Sequence, residues 1–468
     1  MPVIFITDAL IFLLIFMVFL FIWHSSRHEH LRLPWRQVGQ NRLAMSAVVI
    51  LMFYIIVGLL DSIHFHPRLE NKNHNVEQYS TEIISLLDIL TTKLHVRDEK
   101  TYSAPFASYA YAKEIIDLPD GRQVRDYPRL RYGGAHLDNP EEEKILDIIG
   151  KIFVGLITGM IFWLLCSALI IKGIAYSKGT GFKFEIFQII QRRNKLPWHV
   201  ILLTFGIILI MSTIINNLSD YYHVLGTDKV GQDVLYQGLK SVRTGLLIGT
   251  LTTLVMLPFA LALGIMAGYF RGWVDDVIQY IYTTLNSIPG VLLIAASILI
   301  LDVYMINHAD EFTSTAHRAD LRLLFLCMIL GIMSWTGLCR LLRGEALKLR
   351  EIDYVQAAQA FGVGHANIML RHLLPNVMHI VMISIVIDFS GLVLAEAVLA
   401  YINIGVDPSM SSWGNMINSA RLEMAREPIV WWSLFAAFIF MLGLVLPANI
   451  FADAVRDAFD PRIRENSN

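Results

Sequence analysis

Charge is scarce in this sequence and almost balanced. Asp, Glu, Lys and Arg make up 17% of the 468 residues, and the formal net charge at pH 7 is −2. This composition gives no reason to expect a nucleic-acid partner, which would require a cationic surface. Cysteine is rarer still: Cys166, Cys327 and Cys339 each lie in an apolar segment. No disulfide framework is therefore predicted.

The motifs of common catalytic sites are absent too. No Gly-x-x-x-x-Gly-Lys-Ser/Thr stretch occurs, so any nucleotide hydrolysis that drives this protein must take place on another chain. His28-Glu29-His30 lacks the His-Glu-x-x-His spacing of a zinc protease, and beside several arginines it is interpreted as an interfacial polar cluster. Because no nucleophile–base pair or set of metal ligands is found, we predict no catalytic residue and no metal site.

Apolar residues, in contrast, are abundant. They make up 55% of the chain, and the mean hydropathy is +0.53. Apolar runs of roughly 20 residues, enough to cross about 30 Å of hydrocarbon, recur along the sequence. We predict an all-α polytopic membrane protein with about nine transmembrane helices, at residues 4–23, 43–61, 148–172, 198–217, 243–269, 277–301, 321–341, 377–401 and 429–450. The first run has no basic n-region and no small-residue cleavage site, so it is expected to be a retained span.

Lysine and arginine predict the orientation of these spans. Segment 24–42 carries four arginines (Arg27, Arg32, Arg36 and Arg42) against Glu29. Segment 172–197 carries six cations (Lys172, Lys178, Lys183, Arg192, Arg193 and Lys195) against Glu185. Both segments are therefore expected in the cytoplasm, and counting onward places the loop at 343–376 there as well. The N-terminus is then outside and the C-terminus inside.

Residues 62–147 differ from the rest in being polar and mixed in charge, so they are expected to form a small external lobe. The stretch "SYAYAKEIIDLPDGRQVRDYPRLRYGG" alternates apolar and polar residues around Asp120-Gly121, which predicts a hairpin. Earlier in the same segment, apolar residues recur at helical spacing over 83–90. A docking surface and a simple linker both fit this composition.

The loop "YVQAAQAFGVGHANIMLRHLLPN" (354–376) lies between two apolar runs. Helix-favouring residues predict a helix over 344–361 with an apolar stripe of Ile352, Val355, Ala358 and Phe361. Gly362 and Gly364 should end it, a second short helix should follow at about 365–373, and Pro375 should restart the chain into the next span. We expect a helix–turn–helix under the membrane, in which Ala357, Ala358 and Ala360 let a cytoplasmic partner approach closely and Ala358 lies on the contact face.

Four polar residues inside spans are candidates for a hydrated pathway. Burying a carboxylate in lipid costs on the order of 2.5–3.5 kcal/mol even on lenient scales. Asp388 and Glu396 lie on roughly one face of span eight, and Asn286-Ser287 precede Pro289 in span six. Lining a pathway and packing within the subunit are both compatible with these positions.

The loop carries a family resemblance. Ala357-Ala358, Gly362 and Leu374-Pro375 resemble the "EAA" loop of ABC importer permeases, although Gln356 stands where that family has Glu. Three more stretches and the tail 452–462 are similar to the C-type permease subunit of dipeptide/oligopeptide importers: "HVLGTDKVGQDVLYQGLKSVRTGLLIG" (223–249), "GIMAGYFRGWVDDVIQYIYTTLNSIPG" (264–290) and "LAEAVLAYINIGVDPSMSSWGNMI" (394–417). Gln232 and Asn403 depart from the family's usual Arg and Gly. The resemblance covers about 222–462.

This resemblance implies a type I ABC importer permease core at 222–468, with its coupling loop at 343–376. The remaining predicted regions are N-terminal helices (1–61), the external lobe (62–147) and additional helices with a cytoplasmic loop (148–221). The lobe should then be separable from the core. The implied partners are a second homologous permease subunit, two ATPase subunits that hold ATP and Mg²⁺, a periplasmic substrate-binding protein and lipid. This chain itself would hold no cofactor.

The implied function is import of di- or oligopeptides across a bacterial inner membrane, driven by ATP hydrolysis on the separate subunits. An importer of nickel, glutathione or another small solute would have the same architecture. An ion-coupled secondary transporter, with Asp388 and Glu396 carrying coupling ions, is the alternative from another class. An ion-driven carrier has no need of an ATPase-docking loop, so that loop distinguishes the two.

Overall fold

The structure is a computed structural model, and it describes residues 1–26, 29–68, 79–117, 123–310 and 314–459. The predicted cluster at His28, the Asp120-Gly121 turn and the end of the 452–462 tail lie outside these ranges. The helices are α1 Ile6–Ser26, α2 Glu29–Gln40, α3 Arg42–Asp61, α4 Leu86–Leu90, α5 Thr92–Val96, α6 Pro140–Lys178, α7 Phe182–Ile190, α8 Trp198–Ser219, α9 Val234–Phe270, α10 Gly272–Ser287, α11 Gly290–Asn307, α12 Thr315–Leu349, α13 Asp353–Ala360, α14 His365–Ile368, α15 Leu374–Tyr401, α16 Trp413–Glu423 and α17 Trp432–Phe459. The strands are β1 Pro2–Val3, β2 His64–Phe65, β3 Ile84–Ser85, β4 Glu114–Asp117 and β5 Gln123–Asp126.

The long helices are membrane spans by length and composition. Within the described ranges, 8 helices are long and apolar enough to cross a bilayer: α3, α6, α8, α9, α11, α12, α15 with the turns before it, and α17. They correspond to eight of the predicted spans, and α1, apolar over Ile6–Leu20, corresponds to the first. The prediction of an all-α polytopic membrane protein is confirmed.

The predicted sixth span, 277–301, is wrong in its position. The chain breaks between α10 and α11, and Ile288 is extended there (ψ 128°). Pro289 explains this break, because proline has no N–H and disfavours helical backbone at the residue before it. The span is α11, starting at Gly290, and α10 is a separate helix that carries Asn286 and Ser287 near its end.

The described chain divides into two compact units. The first comprises Met1–Val3, Gly39–Thr244 and Ser411–Pro447, and the second comprises Ile4–Val38, Gly245–Met410 and Ala448–Asn468. The core of the second unit contains buried side chains of α9, α12 and α15, among them Met256, Leu342 and Val377. Gly264 and Gly268 face α12, where a Cβ on Gly268 would lie 2.6 Å from the Arg343 carbonyl oxygen. This pair therefore permits close helix packing, as its spacing predicts.

In the first unit, α6 packs along α8. A Cβ on Gly155 would lie 2.7 Å from the Cα of Ile214, and one on Gly159 would lie 2.9 Å from the Cα of Ile210. The Thr213 hydroxyl donates to the Gly155 carbonyl at 3.0 Å. Small residues at this spacing let two membrane helices approach until their backbones nearly touch.

The lobe predicted at 62–147 belongs to the same unit. Strand β2 pairs with β1 and with β3 in an antiparallel sheet, and β4 pairs with β5 from Glu114↔Asp126 to Asp117↔Gln123. The predicted hairpin is confirmed in its strands, while its turn falls outside the described ranges.

The lobe packs directly on the segment that begins the predicted core. The Ser103 backbone N–H donates to the Thr227 hydroxyl at 2.7 Å, and the Trp432 indole donates to the Thr227 carbonyl at 2.8 Å. Gly231 has φ +83°, and a Cβ there would lie only 1.8 Å from the Glu99 carbonyl oxygen. These contacts argue against a lobe that is separable from the core.

Buried charge reinforces this junction. Nδ1 of His223 lies 2.8 Å from Asp233, its Nε2 lies 3.6 Å from Glu99, and all three side chains are at most 5% exposed. Burial alone would lower the pKa of His223, but the two carboxylates raise it to about 9. Nearby, the Lys240 ammonium lies 3.2 Å from Asp61 and 2.8 Å from Asp88 of the lobe. Pairing compensates the desolvation of each of these charges.

Candidate functional site

The loop at 343–376 begins later than the sequence predicts. Helix α12 runs without interruption to Leu349, and the predicted helix over 344–361 is broken between Arg350 and Ile352. Ile352 is extended (φ −77°, ψ 139°) and precedes α13, which covers only Asp353–Ala360. The span and the loop helix are therefore two rods joined by a short bend.

Three side chains anchor this loop to the membrane core of the second unit. Val355 of α13, Ile368 of α14 and Leu373 of the turn after it are each 0% exposed. They belong to the same core cluster as Val377 and Val381 of α15. Burying such an apolar side chain stabilises by about 1.5–3 kcal/mol. The loop is consequently fixed on both sides of its turn.

The opposite face of α13 is open. Gln356, Ala357 and Ala360 are exposed, and Phe361 is 88% exposed. Ala358 is partly buried and packs against the core cluster. The expectation that Ala358 lies on the contact face is therefore wrong. The predicted stripe does not stay on one face, because a period of three residues drifts around a helix with 3.6 residues per turn, so Ala358 packs on the core while Phe361 is exposed.

The turn depends on one glycine. Gly362 has φ +76°, whereas Gly364 has φ −61° and ψ 143°. No heavy atom lies within 4 Å of the Cβ that either glycine would carry. The backbone angle, and not the available space, makes glycine necessary at 362 and unnecessary at 364.

The segment after the turn is one continuous helix. It runs from His365 to Tyr401, with a π-helical turn at Met369–Leu373. The prediction of a separate short helix that Pro375 ends is wrong, because the widened turn accommodates the proline at the start of α15. Leu374 packs against the core cluster, and Pro375 is exposed.

Polar contacts that the sequence reasoning missed tie the loop to neighbouring helices. Arg343 of α12 holds Asp275 of α10 through two hydrogen bonds of 2.6 Å. Arg350 donates to the Tyr269 carbonyl at 2.7 Å, and the Tyr269 hydroxyl lies 2.8 Å from Nδ1 of His365. Nothing in the sequence pairs these arginines with residues about 70 to 80 positions away.

A cleft of about 440 Å³ opens beside the turn. Its lining combines aromatic and cationic side chains with turn backbone: Tyr269, Phe270, Arg350, Gln359, Gly362, Val363, Gly364 and His365. Together with the open face of α13, this cleft gives the loop a recessed surface beside a protruding one. Such a combination of a recess and a protruding face suits docking to another protein.

The polar residues predicted inside spans are not gathered at one place. Thr336 of α12 donates to the Asn286 side chain at 3.2 Å, and the Ser287 hydroxyl donates to the Thr284 carbonyl at 2.7 Å. Glu396 is 3% exposed, whereas Asp388 is half-buried. The pathway role of all four stays a prediction.

The known proteins that resemble this chain match the half of it that contains the loop. The family model described as "Binding-protein-dependent transport system inner membrane component" matches residues 260–465. The chain is 30% identical over 242 residues to the glutathione transport system permease protein GsiD of Pectobacterium atrosepticum. The matched region covers 52% of this chain and 73% of that protein. The chain is 31% identical over 242 residues to the oligopeptide transport system permease protein OppC of Mycobacterium bovis, covering 52% and 77%. It is also 31% identical over 244 residues to the dipeptide transport system permease protein DppC of Lactococcus lactis subsp. cremoris, covering 52% and 65%.

Among solved structures, the MetNI methionine ABC transporter in its inward-facing conformation is similar with a TM-score of 0.33 and 16% identity, over 47% of this chain and 96% of that chain. That similarity is too low to support an argument about the fold. The sequence relatives carry the identification, since GsiD and OppC match at 30% identity or more over at least 73% of their own lengths. The chain belongs to the family of binding-protein-dependent transport system inner membrane components.

Proposed function

We propose that this chain is one of two permease subunits of a bacterial ABC importer for di- and oligopeptides. Its relatives include permease proteins of oligopeptide, dipeptide and glutathione transport systems, and these cargoes share a peptide backbone. Family membership favours this function over an ion-coupled carrier. Two separate subunits would bind ATP and Mg²⁺, and a periplasmic binding protein would deliver the peptide.

The observation that carries the proposal is the loop with one face anchored and the other open. Phe361 is 88% exposed, while Val355, six residues earlier, is fully buried. A phenylalanine left in water on a polar surface is unfavourable by about 1.5–3 kcal/mol relative to burial, which a docked ATPase subunit would supply. Because α13 is held to the membrane core, movement of the docked subunit would be transmitted to α15.

The proposed orientation places this loop in the cytoplasm, the N-terminus outside and the C-terminus inside. The lysine and arginine distribution supports it. The lobe packed on 222–240 would then lie on the outer face, where a binding protein delivers cargo.

The test is uptake by proteoliposomes that contain the complete complex with its ATPase subunits. Labelled di- and tripeptides should accumulate only with ATP inside the compartment that holds the ATPases, and a protonophore should leave the initial rate unchanged. Accumulation that a protonophore abolishes and ATP does not restore would identify an ion-coupled carrier instead. A matched complex with a catalytically inactive ATPase provides the background rate.

A further inference from the structure

The short helix α7 joins the spans α6 and α8 and lies outside the region that the family model matches. Its inward side contributes Ile189, which is 6% exposed and packs with Ile171 of α6 and Leu202 of α8. Ile186 adds to this cluster from the same side. The helix is therefore held firmly in the angle between two membrane helices.

Most of the other apolar side chains of α7 are exposed in the part of the chain that the structure describes. Phe182 is 41% exposed, Phe184 52%, Phe187 55% and Ile190 71%. Because α6 and α8 both cross the bilayer, the helix between them must lie at its surface. A short apolar helix in that position buries its open side at the boundary between headgroups and acyl chains.

Cations surround this apolar side. Lys172, Lys183, Arg192, Arg193 and Lys195 are all exposed, and none of them forms an ion pair with any residue in the part of the chain that the structure describes. The sole acidic residue of segment 172–197 is Glu185. Its side chain is 1% exposed, faces inward and is neutralised by Lys178 at 3.1 Å. The outward charge of this surface is entirely positive.

We infer that α7 and the following turn, residues 182–195, form a binding surface for anionic phospholipids. The phenylalanines would enter the acyl boundary while the four outward cations of this range meet lipid phosphates. A cluster of four to eight lysines and arginines next to a membrane helix has the charge density that selects anionic headgroups. The pairing of Lys178 with the buried Glu185 fixes the angle at which α7 leaves α6, so that both halves of the surface face the same way.

The test is headgroup selectivity measured by electron spin resonance on the full chain in bilayers that contain spin-labelled phosphatidylglycerol or phosphatidylcholine. The wild-type protein should hold the anionic label at least about threefold more strongly at low salt, and 0.5 M salt should reduce this preference. The variant Arg192→Gln/Arg193→Gln/Lys195→Gln should bring the ratio close to one. The matched control is Lys113→Gln/Arg125→Gln/Lys229→Gln, which removes the same charge from exposed positions elsewhere in the unit and should keep the wild-type ratio.

Equal retention of both labels by the wild-type protein would overturn the inference, as would a triple variant with undiminished selectivity. A different result would assign the surface to a protein: selectivity near one, with the same triple variant losing its ATPase subunits during purification. Circular dichroism and retention in the membrane fraction establish that each variant is folded, so loss of selectivity cannot be attributed to unfolding.

Discussion

Replacing Gly362 with valine should uncouple ATP hydrolysis from transport. The φ of +76° at this residue is strained for any side chain with a Cβ, and no atom within 4 Å would resist the side chain otherwise. The cost is therefore purely conformational, about 1–3 kcal/mol, with a β-branched residue at the upper end. Because each 1.4 kcal/mol is a factor of ten, the native turn becomes roughly 5- to 140-fold less favoured than its alternatives, with valine toward the upper end.

The buried anchors on both sides of the turn should keep the variant protein folded. Val355 and Ile368 lie on either side of the turn, and both are 0% exposed. Gly362→Val should therefore reach the membrane at normal levels but present α13 at the wrong angle. Peptide-stimulated ATPase activity of the reconstituted complex should fall by at least about tenfold, with uptake falling in parallel.

Two controls separate the backbone angle from the side chain. Gly364→Val places the same side chain two residues away, in equally open space, at φ −61° and ψ 143°, a conformation that valine readily adopts. It should retain most activity, and Gly362→Asn should be intermediate because asparagine tolerates positive φ. If Gly362→Val and Gly364→Val behave alike, backbone strain at the turn is not what matters and the reasoning fails.

Three further outcomes are expected. Ala357→Glu, on the exposed face of α13, should release the ATPase subunits without changing thermal stability, whereas Ala358→Glu, packed on the core cluster, should lower the melting temperature; co-purification and thermal unfolding distinguish the two. The pKa of His223 is raised to about 9, so its charge stabilises the fold by up to about 3 kcal/mol below pH 6.5, and this contribution disappears as the pH rises through 9; thermal unfolding between pH 6 and 10 should show that slope, and His223→Gln should lack it. Gly231→Ala, which brings a Cβ within 1.8 Å of the Glu99 carbonyl oxygen at φ +83°, should open the lobe to limited proteolysis, and unchanged resistance would contradict the described junction.

The chemistry of neighbouring residues in the sequence was sufficient to predict many features of the fold. Long apolar runs predicted the spans. In a bilayer the backbone N–H and C=O groups must find hydrogen-bond partners within the protein, and an α-helix provides them. The turn at Gly362 followed from glycine's freedom at positive φ. Asn403, which departs from the family's usual glycine, has φ +62°. Asparagine is among the few residues that adopt this conformation with little strain, so the departure keeps the same backbone.

What the sequence could not predict depends on distant partners. The period of three that includes Ala358 indicated an apolar stripe, but only packing against the core decides that Val355 and Ala358 face inward while Phe361 stays exposed. Likewise, the pairing of Arg343 with Asp275 joins residues 68 positions apart, and neither carries a local sign of the other. The attachment of the lobe was missed for the same reason. Glu99 lies in the polar segment and His223 in the predicted core, and composition gives no sign that the two side chains meet.

The attachment of the lobe has a consequence for the order in which the protein is made. Ser103 finds its partner Thr227 124 residues later, and Tyr111 donates to the Ile429 carbonyl 318 residues later. The lobe leaves the ribosome before either partner exists, and two long spans, α6 and α8, must be inserted in between. Its polar groups therefore stay in water until 222–240 follows, and its last contacts wait for the segment before α17. Closure of the lobe thus marks the completion of the membrane domain, and a chain that stalls short of residue 429 leaves the lobe open to proteolysis.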